Sequence, residues 1–251
     1  MAATAVAAGM GRSMALTSNG TVIAWGSAPN LNGFTGVKAI AAGEFHSLAL
    51  RNDGTVVGSG GSSGQAYPPS NLVDVIAISA GGSHSLALKS DGTVVAWGGN
   101  WNNQLAVPFD LSNVTAIAAG RYHSLALKGD GTVVGWGGMN ASFGQVCPPP
   151  GLSGVVVIAA GSDHSMALKS DGTVICWGTN NYGQTSPPTG LTGVISIAAG
   201  AYHNLALKSD GTVVGWGNNY EGKATPPPYL SGVIKISAGF HHNLAIKATA
   251  P

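Results

Sequence analysis

Charge is scarce in this chain. Of 251 residues only 8% are Asp, Glu, Lys or Arg, eleven basic against ten acidic, for a formal net charge of +1. A nucleic-acid surface neutralises phosphates with clustered Lys and Arg, so this thin, balanced supply excludes recognition through a basic face. No apolar run approaches the ~20 residues that a helix needs to cross a bilayer, so no membrane span is expected. The opening MAATAVAAGM has no basic stretch ahead of it and matches the repeat described below, so it reads as fold rather than leader. Cysteine is nearly absent. Cys147 and Cys176 stand in neither a metal-ligand nor a redox spacing and are expected to pack as small apolar groups. No stretch keeps helical spacing over enough residues to compete with a strand reading.

What abounds is glycine, 39 residues of it. Glycine supplies turns and close backbone approach and weakens helices, which fits a turn-dense β protein. Its distribution is periodic. Ala-Ala-Gly or Ser-Ala-Gly ends at Gly9, Gly43, Gly81, Gly120, Gly161, Gly200 and Gly239, at intervals of 34, 38, 39, 41, 39 and 39 residues. The phrase HSLALKSDGTVVAWG (84–98) returns at 123–137, 164–178 and 203–217, with looser copies at 12–26 and 46–60. Seven AAG halves stand against six DGTVVxWG halves, and no linker divides the chain.

Within a unit, VIAISAGG (75–82) is rich in β-branched residues and ends at glycine, as a short strand would. HSLALK (84–89) alternates with period two, and Asp-Gly then supplies a hairpin turn that needs positive φ. TVVAWG (93–98) is a third strand; N-x-x-G-Q turns the chain again, and Pro-Pro marks a crossing or edge. Three or four short antiparallel strands repeated every ~40 residues are the signature of a propeller blade. The expected fold class is therefore all-β, a β-propeller of seven blades spanning 1–251 as a single domain. Either the last blade is incomplete or the chain is cut from a longer array; a six-bladed ring with overlapping ends is the alternative.

The repeat carries His, Ser and Asp, residues of catalytic reputation. His46, His84, His123, His164, His203 and His242 recur, with Arg12 in the first copy. No second ligand stands at i+2 or i+4 for a metal, and adjacent strand side chains face opposite ways, so a Ser–His pair within one strand is excluded. The histidines read as structural, each hydrogen-bonded and stitching its blade. Asp53, Asp91, Asp130, Asp171 and Asp210 precede Gly in the hairpin and read as turn chemistry, balanced by Arg51, Lys89, Lys128, Lys169 and Lys208. Trp25, Trp97, Trp136, Trp177 and Trp216 share one position and read as fillers between blades. Ser59 replaces the sixth, leaving that junction looser or filled from elsewhere. No catalytic residue, cofactor or metal is expected.

Function is sought where the repeat breaks its pattern. In an antiparallel meander the turns after the first and third strands share one face. That face gathers Phe45, Tyr122, Tyr202, Phe240 and His241 from before the histidines, with Trp101, Phe143, Tyr182 and Tyr220 from after each Trp-Gly. Aromatics with a few charges, on loops held by a rigid scaffold, are what protein-binding hot spots are made of.

HSLALKSDGTVVAWG with its following N-x-x-G-Q resembles the repeat of the regulator of chromosome condensation family over essentially the whole chain. The wording is closest to bacterial members, among them inhibitors of β-lactamase. With these the chain shares SGV-x-AIAAG, HSLALK and AWG-x-N-x-x-GQ followed by x-x-x-P. The resemblance implies a propeller. From the inhibitors it lends Phe45, Tyr122, Tyr202, Phe240, Trp101, Tyr182 and Tyr220 as candidate contacts, with a class A β-lactamase as candidate partner. Eukaryotic relatives that promote nucleotide exchange on a small GTPase use an inserted wedge and a basic tail; here no interval exceeds 41 residues and no basic tail is present. A non-catalytic, monomeric protein-binding propeller is the leading expectation. A lectin-like glycan binder, or a scaffold with no selected partner, remains open, since copies this alike suggest recent amplification or consensus engineering. The composition suits a secreted bacterial protein.

Overall fold

A computed structural model of the protein describes residues 2–27, 31–138 and 144–248. Its strands form seven small antiparallel sheets. Sheet one holds β1 (Ala3–Ala8), β2 (Arg12–Thr17) and β3 (Val22–Gly26); sheet two holds β4 (Val37–Ala42), β5 (His46–Arg51) and β6 (Val56–Gly60). Sheet three is β7 (Val75–Ala80), β8 (His84–Lys89) and β9 (Val94–Gly98), and sheet four is β10 (Val114–Ala119), β11 (His123–Lys128) and β12 (Val133–Gly137). Then come β13 (Val155–Ala160), β14 (His164–Lys169) and β15 (Val174–Gly178), followed by β16 (Val194–Ala199), β17 (His203–Lys208) and β18 (Val213–Gly217). The seventh sheet has two strands, β19 (Val233–Ala238) and β20 (Asn243–Lys247). The protein is an all-β ring of six three-stranded blades and a partial seventh. The Pro-Pro segments add no fourth strand.

Local chemistry accounts for each blade. In the hairpin after β8, Gly92 adopts φ +80°, and the Asp91 carboxylate accepts from the Thr93 amide at 3.0 Å and the Thr93 hydroxyl at 2.6 Å. Those bonds hold the Asp91 carboxyl down to about 2, with Lys89 at 3.2 Å adding to them. The aspartates are turn residues, as expected. Each blade's first strand carries a β-bulge near its start, seen between Val75 and Ala77 and at the same place in the other six.

The core lies between sheets rather than inside one. Leu86 and Leu88 of the third blade bury themselves against Val114, Ala126 and Trp136 of the fourth. Four indoles fill such junctions at 6–7% exposure and donate Nε1–H to the carbonyl of the preceding blade's glutamine: Trp97 to Gln65 at 2.8 Å, Trp136 to Gln104, Trp177 to Gln145 and Trp216 to Gln184. At the blade carrying Ser59 no indole is present, and buried Leu31 belongs to a cluster against which Phe34 and Val57 both pack.

The histidine reading needs one correction. The bond joins neighbouring blades rather than parts of one blade. His46 Nε2 meets Ser85 Oγ at 2.7 Å, His84 meets Ser124 at 2.9 Å and His123 meets Ser165 at 2.9 Å. His164 and His203 meet the amide oxygens of Asn204 and Asn243, both at 2.7 Å. Sequence periodicity separates His and Ser within a strand but does not reveal that the next blade brings another Ser alongside. The ring closes without a covalent link, by the same device: His242 Nε2 lies 2.8 Å from Ser13 Oγ, and the Ala8 amide donates to Ser237 Oγ at 3.0 Å. Seven blades close the circle, and the six-bladed alternative is excluded.

In blades two to six each imidazole packs on the glycine ending its own blade's first strand. A Cβ on Gly81 would stand 2.5 Å from His84 Cε1 and too close to the Gly120 carbonyl. That is why AAG ends in glycine. Two further expectations fail. Trp25 is 46% exposed rather than packed between blades, because the two-stranded seventh sheet offers no third strand or glutamine segment to cover it. Cys147 is exposed, while Cys176 is largely buried, its thiol pushed up to about 12 by burial.

One link is missing from the circle. Arg12 occupies the histidine position of the first blade; its buried Nε and Nη1, and the buried Ser47 hydroxyl of the second blade, have no hydrogen-bond partner. Arg12→His should supply the seventh link, raising stability by about 1–2 kcal/mol, with a rise in Tm of several degrees measurable by calorimetry. An unchanged or lower Tm would contradict this account of the ring. The histidines also set an acid limit. Burial holds His46 and His123 down to about 3, and His84 and His164 to about 4. The unfolded chain protonates them near 6.5, so below that pH it takes up more protons than the folded ring and stability falls as pH drops toward 4. At pH 5 each ring costs roughly 2 kcal/mol, and Tm followed by circular dichroism should fall steeply from pH 6.5 to 4.5.

Candidate functional site, the loop face

The turns after first and third strands do share a face. The residue following each Trp-Gly donates its amide to the carbonyl of the residue preceding the histidine: Gly99 to Ser83, Gly138 to Tyr122 and Thr179 to Asp163, at 2.8–2.9 Å. Asn218 does the same to Tyr202 at 2.8 Å. The non-repeated residues of both sets are thus clamped side by side.

On this platform five of the candidate rings and one cation form a continuous band. Tyr182 and Tyr202 have ring centroids 5.5 Å apart, Tyr202 and Phe240 stand edge to face at 6.0 Å, and Phe240 meets His241 at 4.6 Å. Arg121 extends the band, its guanidinium 5.7 Å from the Phe240 ring and 5.0 Å from that of Tyr122. Such offset and T-shaped pairs are the favourable arrangements of aromatic quadrupoles. Phe45, Trp101 and Tyr220 are exposed at 45%, 63% and 72%, and among the described residues no ring contact joins them to the band. Phe143 lies outside the described residues.

The centre is charged, which the sequence expectation, built on the aromatics, did not single out. Arg121 Nε is 3.0 Å from Glu44 Oε2, across the mouth of an axial cavity of about 140 Å³ lined by the seven Ala-Gly strand ends. Burial pushes the Glu44 carboxyl up, against the pull of Arg121. Asp163 is likewise raised by burial and drawn down by Arg121. Burial works against the guanidinium charge, but Glu44, the neighbouring tyrosines and Asp163 hold it above its ordinary value. The signal for this centre was present: in a chain this poor in charge, three charged residues at repeat-breaking positions share one turn site.

The inter-blade His–Ser pairs are not nucleophile–base pairs. Ser85 Oγ donates to the Gln65 carbonyl at 2.8 Å, so it accepts from His84's neighbour His46, whose Nε2 carries the proton. His46 Nδ1 then faces no carboxylate and has no partner, and both side chains are fully buried. A general base needs the opposite tautomer and an orienting acceptor. Among the described residues no three His, Cys, Asp or Glu come together to hold a metal, and no helix is long and apolar enough to cross a membrane.

Comparison with known proteins agrees with the fold. The regulator of chromosome condensation (RCC1) repeat is matched at residues 37–65, 75–104, 114–145, 155–184 and 194–223. No curated protein matches. Among solved structures the chain is similar to human WBSCR16, with a TM-score of 0.81, 19% identity, and coverage of 98% of this chain and 87% of that one. It is similar to Prp20p from Saccharomyces cerevisiae, whose structure was described with its binding to Gsp1p and histones, at TM-score 0.80, 20% identity, 98% and 82% coverage. The CRINKLY ectodomain of the Arabidopsis thaliana receptor kinase ACR4 gives 0.78, 20%, 98% and 93%.

Arg121→Met should leave Glu44, whose side chain is 7% exposed, without its partner. Because Arg121 itself is partly solvated, the expected loss is about 1–2 kcal/mol. Adding Glu44→Gln should restore most of it. A urea-unfolding double-mutant cycle reads the coupling, and additive losses would remove the ion pair from the site.

Proposed function

This chain belongs to the regulator of chromosome condensation repeat family, and on that premise we propose that it is a non-catalytic binding module presenting its loop face to a protein partner. The observation that supports this reading most is the band from Tyr182 through Tyr202 and Phe240 to Arg121 and Tyr122. Its rings are half-exposed and its backbone is held by strand ends, so binding would cost little ordering entropy. Tyr and Arg are the residue types that carry most energy at protein interfaces, and a central cation ringed by aromatics fits an acidic or carbonyl-bearing anchor on the partner. A protein is also the class of partner named for the yeast neighbour Prp20p. The axial cavity, at about 140 Å³, is well below the ~300 Å³ at which small-molecule sites begin.

The finer form of this reading is inhibition of a class A β-lactamase by covering its active-site mouth with the same aromatics. Inhibition at nanomolar protein is its expected outcome, and a class A enzyme untouched at micromolar protein would end it.

For the broader reading, Tyr122→Ala/Tyr202→Ala should abolish capture of a specific protein by the immobilised ring while leaving its Tm within a few degrees. Each truncation is expected to weaken binding by tenfold or more. Equal recovery of partners by the double variant, or strong signals on a glycan array, would count against it.

A further inference from the structure

The first blade encloses a cation without a counter-charge. Arg12 is 6% exposed, and its backbone sits as that of a relay histidine does, opposite Gly26 as His84 lies opposite Gly98. Gly9 stands beside it as Gly81 stands beside His84. A Cβ on Gly9 would lie 3.0 Å from Arg12 Cγ and too close to the Gly43 carbonyl of the second blade. The guanidinium therefore takes the imidazole's place where blades one and two meet. Arginine keeps its proton across the pH range of folded proteins, so the charge is buried with the side chain.

Among the described residues no carboxylate lies within ion-pair distance of Arg12. Glu44, on the inner turn of the second blade, is already committed to Arg121 at 3.0 Å. Burial pulls the guanidinium below its ordinary value, and no acidic group pulls it back. His46 offers no compensation either, since burial, His84 and the Arg12 charge together hold its imidazole down to about 3. Arg12 Nε and Nη1 are buried without a hydrogen-bond partner. Ser47, fully buried, stands where the partner of a first-blade histidine would stand, and its Oγ has no partner either. Ser85, by contrast, receives His46 and donates to the Gln65 carbonyl. Three donors from two blades and one positive charge thus share the junction. A buried charge is tolerated when it is paired and hydrogen-bonded, and this one has neither kind of partner in the chain.

We propose that the junction of blades one and two is a binding site for a buried monovalent anion of halide size, held by Arg12 Nε–H and Nη1–H from one blade and Ser47 Oγ–H from the other. Chloride has the matching chemistry: one negative charge, several hydrogen bonds accepted and none donated. A water would accept from the same donors, but it brings two protons that these three groups cannot take and leaves the charge unbalanced. A phosphate or sulfate carries more charge and more lone pairs than one guanidinium and one hydroxyl can match. It would also have to fit between first strands packed so closely that a methyl group on Gly9 would collide with the Gly43 carbonyl. The ion does at this junction what the imidazole-to-serine bond does at the others, joining one blade to the next.

The test is calorimetric unfolding of the intact protein at fixed ionic strength, with sodium gluconate replaced stepwise by sodium chloride or bromide. A ligand bound by the folded state alone raises Tm with its concentration, so a saturable rise of several degrees is expected. Ser47→Ala should raise the half-saturating chloride concentration about tenfold, through loss of one hydrogen bond to a charge. Arg12→His, which completes the relay, should be the more stable protein in gluconate and should lose the halide dependence. Tyr122→Ala/Tyr202→Ala should keep that dependence, because the site is independent of the loop face. Crystals grown in sodium bromide should show an anomalous peak at bonding distance from Arg12 Nε and Ser47 Oγ. An equal halide response in the parent protein and Arg12→His, or no response up to about 300 mM chloride, overturns the proposal. So does a water, without an anomalous peak, bridging the two side chains. A bromide peak with no thermal response marks an adventitious ion only and overturns it as well.

Discussion

The ring depends on one buried relay that crosses from blade to blade. An imidazole Nε2–H donates to the Ser or Asn of the next blade, and that side chain donates onward to a glutamine or lysine carbonyl of the imidazole's own blade. The same carbonyl takes the indole of the next blade. Because the serine's proton is committed to the carbonyl, the histidine's tautomer is fixed, and because the imidazole is fully buried it is held neutral. The glycine ending each first strand follows from this, since only a residue without Cβ leaves room for the ring beside the neighbouring blade's carbonyl. Five positions of the repeat thus serve one contact, which explains why the phrase varies so little.

Departures from the relay are informative because the rest is so regular. Arg12 in place of histidine leaves a buried guanidinium and the Ser47 hydroxyl unmatched. Ser59 stands in place of Trp next to a cluster that takes in Leu31 and Phe34 from a shorter connecting loop. Trp25 keeps the repeat's residue but lacks the surface it would cover. These three irregularities all involve blades one and two or the closing seam, whereas blades three to six are nearly interchangeable. Among the described residues the seam closes on hydrogen bonds and packing, His242 to Ser13 and Ala8 to Ser237.

The scaffold also arranges the variable residues. Each blade contributes two positions before its histidine and a few after its Trp-Gly, and amide-to-carbonyl bonds fix them beside one another. Tyr182 belongs to one blade's outer loop, Tyr202 to the next blade's inner loop and Phe240 to the one after, so their contact exists only because the ring curves. Arg121 and Glu44, two blades apart, meet across the axis for the same reason.

Period, strand boundaries, hairpin turns and blade count were legible in the sequence, because each rests on local chemistry repeated many times. The alternation in HSLALK, the Asp-Gly turn and the crowded AAG need only their neighbours to be interpreted. That the loop aromatics share a face was legible as well, since an antiparallel meander leaves no other arrangement. Three things were decided by tertiary structure alone. His46 finds Ser85 rather than a partner within its blade, Trp25 stands exposed while four identical positions are buried, and Arg121 draws Glu44, Tyr122 and Phe240 together. Each is a contact between blades, set by the angle at which one sheet meets the next, and a repeat read along the chain holds the strands of that angle without the angle itself.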